Sequence, residues 1–284
     1  MTLLHSRTLP KAQSGVEISL TPRRAGWEYV GFAVRRLAAG EAWSAKTGRD
    51  EVCLVLLGGL VSLEWAPDGG KSVTLGPRRD VFSEYPHAAY LPPRTTFTVR
   101  GKRASEIAEC RSPTTKRFAP RAIRPSDCGF EVRGGGNATR QIIDILPPSA
   151  DADRLLVCEV LTPAGNWSSY PPHKHDRHAP PVEADLEETY YYRFRAPGGY
   201  GIQRLYVSED REEQVLRVTH GDLVLVREGY HPFVASPGVD AYYLNTLAGS
   251  VRSMAATDDP RYAYLRANWP PPDPRVPMIQ KPVA

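Results

Sequence analysis

The sequence predicts an all-β protein built from two barrel-like domains in tandem, and three observations carry that expectation. Proline (27 residues) and glycine (23) cut the 284-residue chain into short runs. The runs are rich in β-branched and aromatic residues and show no sustained helical period. Finally, the two halves echo each other. "AAYLPPRTTFTV" (88–99) has the cadence of "DLVLVREGYHPFVA" (222–235), an apolar strand, a tight break and a second strand. Many short strands separated by turns at fairly even intervals point to a sandwich or barrel.

Taken in order, "EVCLVLLGGLVSLEW" reads as two strands joined in a hairpin at Gly58-Gly59, and "APDGGKS" supplies the next turn. The stretch "TYYYRFRAPGGYGIQRLYV" is an aromatic strand, a Pro-Gly-Gly turn and a strand again. "HGDLVLVREGYHPFVASPG" and "AYYLNTLAG" continue the pattern. Between the halves, "RSPTTKRFAPRAIRPSDCGFEVRGGGNATRQ" is basic, rich in Pro and Gly, and poor in long apolar runs. The boundary is placed there, giving an N-terminal domain over 1–135, a C-terminal domain over 136–262 and a proline-rich tail over 263–284. The tail should lie extended on the surface or on a partner subunit. In the aligned halves Phe97 stands where the second half has His231, so the first half is expected to keep the fold without metal ligands.

Composition sets outer limits. The chain is 41% hydrophobic and 24% charged, with a net charge of +4. It has no apolar run near the roughly 18 residues that span a bilayer. Its opening "MTLLHSRTLPKAQSG" lacks the apolar core of a signal peptide, so a cytoplasmic location is expected. Basic residues are scattered among acids rather than gathered in a stripe, which argues against nucleic-acid binding. Cys53, Cys110, Cys128 and Cys158 form no CxxC pair and are expected to be buried free thiols.

The functional signal is histidine clustering. Five of the seven histidines (His173, His175, His178, His220, His231) fall in one stretch of the second half. On a strand, residues two apart share a face, so "PPHKHD" aims His173 and His175 into one space while Lys174 points away. The strand "LEETYYYRF" brings Glu187 and Glu188, one of which faces inward, and period two places Glu188, Tyr190 and Tyr192 together. In "GDLVLVREGYH", Gly229 gives the break that returns His231 toward the barrel. An HxH pair alone is more often an ordinary loop; the ordered set of HxH, Glu and Gly-x-His is far more specific. Three imidazoles and a carboxylate suit one Zn²⁺, Mn²⁺ or Fe²⁺ per chain, zinc foremost, with positions left open for substrate. His178, in a Pro-rich loop, and His220, before a turn glycine, are left out of the set.

These residues carry a resemblance. Gly165, His173-x-His175, Glu188, then Gly221 to Gly229 and His231, resemble the two cupin motifs with a lengthened loop between the histidine pair and the glutamate. More narrowly, "NWSSYPPHKHD", "LEETYYYRF", "GYGIQRLYV", "GDLVLVREGYHP" and "YYLNTLAG" resemble the 5-deoxy-glucuronate isomerases of bacterial myo-inositol catabolism, relatives of the 4-deoxy-hexosulose-uronate ketol-isomerases of pectin breakdown. The resemblance is close over 165–260 and looser in the first half, where "DVFSEYPHAAYLPP" carries it. It implies a bicupin whose C-terminal barrel holds the metal through His173, His175, Glu188 and His231, with Glu187 as the alternative carboxylate. It also implies conversion of 5-deoxy-glucuronate to 2-deoxy-5-keto-gluconate.

An aldose-ketose isomerisation leaves the redox state unchanged, so no nucleotide cofactor is needed, and no GxGxxG motif is found. The base that moves the proton is open among the non-ligating glutamate of the 187/188 pair, a metal-bound hydroxide, and Tyr190 to Tyr192. The substrate carboxylate calls for an arginine fork. Arg204, beside Gln203 on one strand, is the first candidate, since one of the two must face inward, and Arg252 is the second. A homo-oligomer is expected, through sheet edges or the proline-rich tail. The rival readings are a cupin dioxygenase, the pectin-pathway isomerase, and a sugar-acid-binding module without catalysis.

Overall fold

Residues 50–66 show how the sequence becomes a barrel and where a local reading of it goes astray. In the computed structural model, which describes residues 2–5, 13–66, 71–208 and 213–282, Asp50–Ala66 is not a hairpin but one 17-residue strand. Its first half pairs with His87–Leu91 and Ser105–Pro113, and its second half with Lys71–Arg78 and Thr96–Gly101. The register shifts at Gly58-Gly59, where Gly59 has φ +104° and a Cβ would come within 2.3 Å of the Ser105 hydroxyl. That hydroxyl is instead bonded to the backbone N–H and carbonyl of Leu60. Two adjacent glycines therefore bend a strand between sheets here, where a two-residue turn was expected.

The chain forms two compact units that do not divide it at one point. One consists of Ser6–Cys128, Ile145–Val157 and Gln280–Ala284; the other of Met1–His5, Gly129–Asp144 and Cys158–Ile279. A buried acid explains why 145–157 belongs with the first unit. Glu51, fully buried, accepts the backbone N–H groups of Asp153, Arg154 and Leu155 and the Tyr90 hydroxyl. Four donors offset the cost of burying that carboxylate. The interior of this unit is apolar: Val52, Leu54, Leu56, Leu63, Trp65, Val99 and Ile107 pack around Phe97. Phe97 meets the Trp43 ring edge-to-face at 5.1 Å.

The second unit sets a long sheet against a shorter one. The long sheet runs Thr2–Leu4, Leu223–Val226, Glu183–Phe194, Ala241–Gly249, Leu156–Thr162, Arg140–Leu146, Glu131–Arg133. The shorter runs Trp167–Ser168, Phe233–Ala235, Tyr200–Leu205, Gln214–Thr219. Tyr190, Tyr192 and Phe194 alternate along one face and bury against Tyr243, Phe233, Leu205 and Val218. "TYYYRFRAPGGYGIQRLYV" is thus strand, turn, strand as expected, but its strands lie in different sheets. The tail is bound rather than loose. Gln141 takes the N–H groups of Met278 and Ile279 and donates to the Ile279 carbonyl, while Asp273 is held by Asn166 and Arg275. A short 3₁₀ turn, Ala263–Ala267, opens it. All four cysteines are free and buried.

Truncating Phe97 should test the apolar first unit. Phe97→Ala is expected to cost about 3–5 kcal/mol in urea denaturation while leaving the metal content of the folded protein unchanged.

Candidate metal centre

Three segments bring the candidate ligands together. The first is "PPHKHD": His173–Lys174 pairs with Thr257–Asp258, and the alternation holds as expected. Lys174 turns away and donates to Asp176 at 2.5 Å and Glu183 at 2.8 Å. Asp176 in turn accepts the Gly229 N–H at 2.7 Å, which ties this segment to the loop carrying His231. Gly229 sits at φ +85°, and a Cβ there would lie 2.5 Å from the Tyr206 carbonyl, so the turn needs glycine. The third segment is the Glu183–Phe194 strand, whose period of two buries Glu188 with Leu186 and Tyr190 and puts Glu187 on the opposite face.

His175, Glu188 and His231 are 6%, 4% and 0% exposed, and one ligand atom from each lies within 4.8 Å of the others. His175 Nε2 is 2.9 Å from Glu188 Oε2, and His231 Nε2 is 3.3 Å from the same oxygen. His173 completes a triangle of imidazoles, its ring 5.0 Å from His231 and 6.4 Å from His175.

The other ring nitrogens decide what this group can do. Nδ1 of His173 faces the Pro171 carbonyl at 3.2 Å, that of His175 the Leu186 carbonyl at 3.1 Å, and that of His231 the Gly229 carbonyl at 2.9 Å. A carbonyl can only accept, so each Nδ1 carries a proton and Nε2 is the nitrogen left to ligate a metal; without one, His175 Nε2 donates to Glu188. His231 Nε2 is buried with no hydrogen-bond partner of proper geometry, despite its nearness to Glu188. A buried lone pair without a donor is costly. Three oriented imidazoles, a carboxylate and an orphaned nitrogen fit a divalent transition ion.

Electrostatics agree. Burial would push the Glu188 carboxyl up, but the hydrogen bond from His175 and the nearness of the His231 ring outweigh it and bring it down to about 2. Burial, reinforced by the His231 and His175 rings, holds His173 well below its ordinary value. Burial also works against charge on His175, yet the bond to Glu188 leaves it raised.

The group opens on a cavity of about 360 Å³. Leu186, Leu247, Ala256 and Met254 form apolar wall; Glu131, Arg133, Arg140 and Arg266 form the rest beside His173, His175 and Glu188. Tyr190 and Tyr192 support the histidines from within the core. The Tyr190 ring lies 5.9 Å from His231 with its hydroxyl 3.0 Å from Ser169. Tyr192 donates to Gln203, whose amide reaches the His231 carbonyl at 3.4 Å. Of the pair 203/204, Gln203 is the inward one. Arg204 faces outward, paired with Glu213 and stacked on Tyr206. Arg252 is half-buried and is not among the residues lining the cavity. Arg133 and Arg140 escape the sequence reading because "EVRGGGNATRQ" reads as linker, and Arg266 because it falls in the stretch that reads as tail; the former is a hairpin-like pair of strands, Glu131–Arg133 and Arg140–Leu146.

The KduI/IolB family model matches residues 3–265. The chain belongs to the KduI/IolB family. A 5-deoxy-glucuronate isomerase of Geobacillus thermodenitrificans (strain NG80-2) is 42% identical over 254 residues, covering 89% of this chain and 92% of that one. The protein of the same name in Bacillus subtilis (strain 168) is 33% identical over 267 residues, covering 93% and 98%. Among solved structures, an IolB-like protein from Salmonella typhimurium LT2 superposes with a TM-score of 0.88 at 38% identity, covering 93% of this chain and 98% of that one. A mutant of Bacillus subtilis oxalate decarboxylase superposes with a TM-score of 0.62 at 11% identity, covering 90% and 78%, which bears on fold alone. This KduI/IolB member is a bicupin, as the sequence predicted.

The Glu188 pair has a pH consequence in metal-free protein. A carboxyl lowered from 4.5 to about 2 contributes stability that is present above 4.5 and lost as pH falls through 2. Wild type should therefore exceed Glu188→Gln by on the order of 3 kcal/mol near pH 5, the gap closing by pH 2. Equilibrium denaturation of both proteins across that range measures it.

Proposed function

We propose that this protein isomerises 5-deoxy-glucuronate to 2-deoxy-5-keto-gluconate in myo-inositol catabolism, using one divalent ion, zinc foremost, held by His173, His175, Glu188 and His231. The observation that carries the metal is the set of three Nδ1-to-carbonyl bonds, which leaves the three Nε2 atoms as the ligating nitrogens beside one carboxylate. What supports the substrate is family membership and relatives that bear this name over nearly their whole length.

The reaction moves a proton from the hydroxyl-bearing carbon beside the aldehyde to the aldehyde carbon, leaving a ketone with no net redox change. The bound ion supplies a Lewis acid for the carbonyl and neighbouring hydroxyl oxygens, where negative charge develops as that proton leaves. The chain's own part is placement. Backbone carbonyls fix the three rings before substrate arrives, so no reorientation accompanies reaction. Leu186, Leu247 and Ala256 exclude water from one side of the cavity.

Burial, and next the Glu188 charge, raise Tyr190 well above its ordinary value, and burial does the same to Tyr192, so both keep their protons. They act as a rigid, protonated support for His231 and Gln203 rather than as bases. Glu187, on the far face of its strand, does not share the Glu188 pocket.

Proton NMR of 5-deoxy-glucuronate tests the proposal. Anomeric signals should give way to a keto-acid product with metal-replete protein and persist after chelation. His175→Ala should lose both bound metal and turnover while keeping the far-UV CD of the wild type. Full turnover by that variant would remove the site assignment.

A further inference from the structure

Of the three arginines in the cavity, two have counter-ions. Arg133 donates through Nε and Nη2 to Glu131, at 2.9 and 2.6 Å, and Arg266 pairs with both oxygens of Asp258. Arg140 is different. It is 3% exposed, its Nη1 donates to the carbonyls of Ala138 and Tyr170 at 3.1 and 2.8 Å, and among the described residues no carboxylate pairs with it. A guanidinium taken out of water with no carboxylate at bonding distance is costly, and burial outweighs the unbonded charge of Glu131 and lowers the Arg140 group to about 10.

Register adds to the cost. Arg133 and Arg140 are direct partners across the antiparallel strands Glu131–Arg133 and Arg140–Leu146, so two cations stand side by side. Like charges in that position repel. Arg140 also shares its strand face with Ile142, which packs in the barrel core with Tyr190 and Tyr192. Arg140 therefore points to the same side of the sheet as Glu188. Its strand is the third from the Glu183–Phe194 strand in the sheet order, on the order of 14 Å along the sheet. A long arginine side chain and the histidine group can thus engage the two ends of one six-carbon chain.

We propose that Arg140 binds the carboxylate of the substrate, with Arg133 beside it as a second donor, so that the sugar acid enters with its aldehyde end toward the histidines. Substrate identity here rests on the isomerase reading; recognition of a carboxylate in this cavity does not. A ligand carboxylate would give Arg140 the bonded counter-charge it has none of among the described residues, and offset its repulsion with Arg133. Planar, bidentate pairing is what a guanidinium offers over an ammonium.

The test separates binding from turnover. Calorimetry with metal-replete wild type uses L-gulonate, which is glucuronate with its aldehyde reduced and cannot isomerise, and D-sorbitol as its neutral counterpart. Wild type should prefer gulonate by roughly 30-fold or more, from the strength of charged hydrogen bonds. Arg140→Gln should lose that preference with sorbitol binding unchanged, and Arg140→Lys should recover only part of it. For turnover, Arg140→Gln should raise KM for 5-deoxy-glucuronate far more than it lowers kcat. Equal wild-type affinity for gulonate and sorbitol would overturn the assignment, even if the variants fail to fold. So would an Arg140→Gln enzyme with unchanged KM. A wild type that prefers gulonate through Arg140 yet never converts 5-deoxy-glucuronate would uphold this inference and overturn the isomerase reading alone.

Discussion

The chemistry of this protein depends on where three imidazole protons go. A histidine in a cavity has two tautomers, and only one leaves Nε2 able to hold a metal. Here the choice is made by backbone. The carbonyls of Pro171, Leu186 and Gly229 each occupy an Nδ1, and each belongs to an element fixed for other reasons. Leu186 lies in an interior strand of the long sheet, while Gly229 is pinned by Asp176 from the histidine segment itself. The scaffold that makes the barrel thus also sets the protonation of the site.

That arrangement makes the cavity electrostatically lopsided. One side gathers imidazoles around a carboxylate that they keep ionised; another gathers guanidinium groups, of which one has no bonded carboxylate among the described residues. Neither side is explained by stability, since a buried ion pair seldom outperforms well-packed apolar residues. The first unit supplies the contrast: its interior, around Phe97, is filled by aliphatic and aromatic side chains. One barrel is packed for stability, and the other gives up packing to hold polar groups in fixed places.

Much of this was legible in the sequence because strand chemistry is local. Period two places Lys174 outside, pairs Glu188 with Tyr190, and separates Glu187 from both, so the composition of the site follows from spacing once the strands are granted. What escaped depends on long-range pairing. "GG" at 58–59 satisfies a hairpin rule and equally a bend, and only the neighbouring strand at Ser105 distinguishes them. Arg140 was hidden for the same reason. Its importance lies in its register with Arg133 and in having no bonded carboxylate among the described residues, and a sequence prints neither. Arg204 stands first as a fork because one of the pair 203/204 must face inward, yet parity gives that position to Gln203.

Anomalous X-ray diffraction from crystals of the metal-replete protein, collected on both sides of the absorption edge of the metal found in it, tests the central claim most directly. One peak per chain is expected, within bonding distance of Nε2 of His173, His175 and His231 and of a Glu188 oxygen. A peak held by Nδ1 atoms, a second peak in the first unit, or no peak in crystals of fully active protein would contradict it.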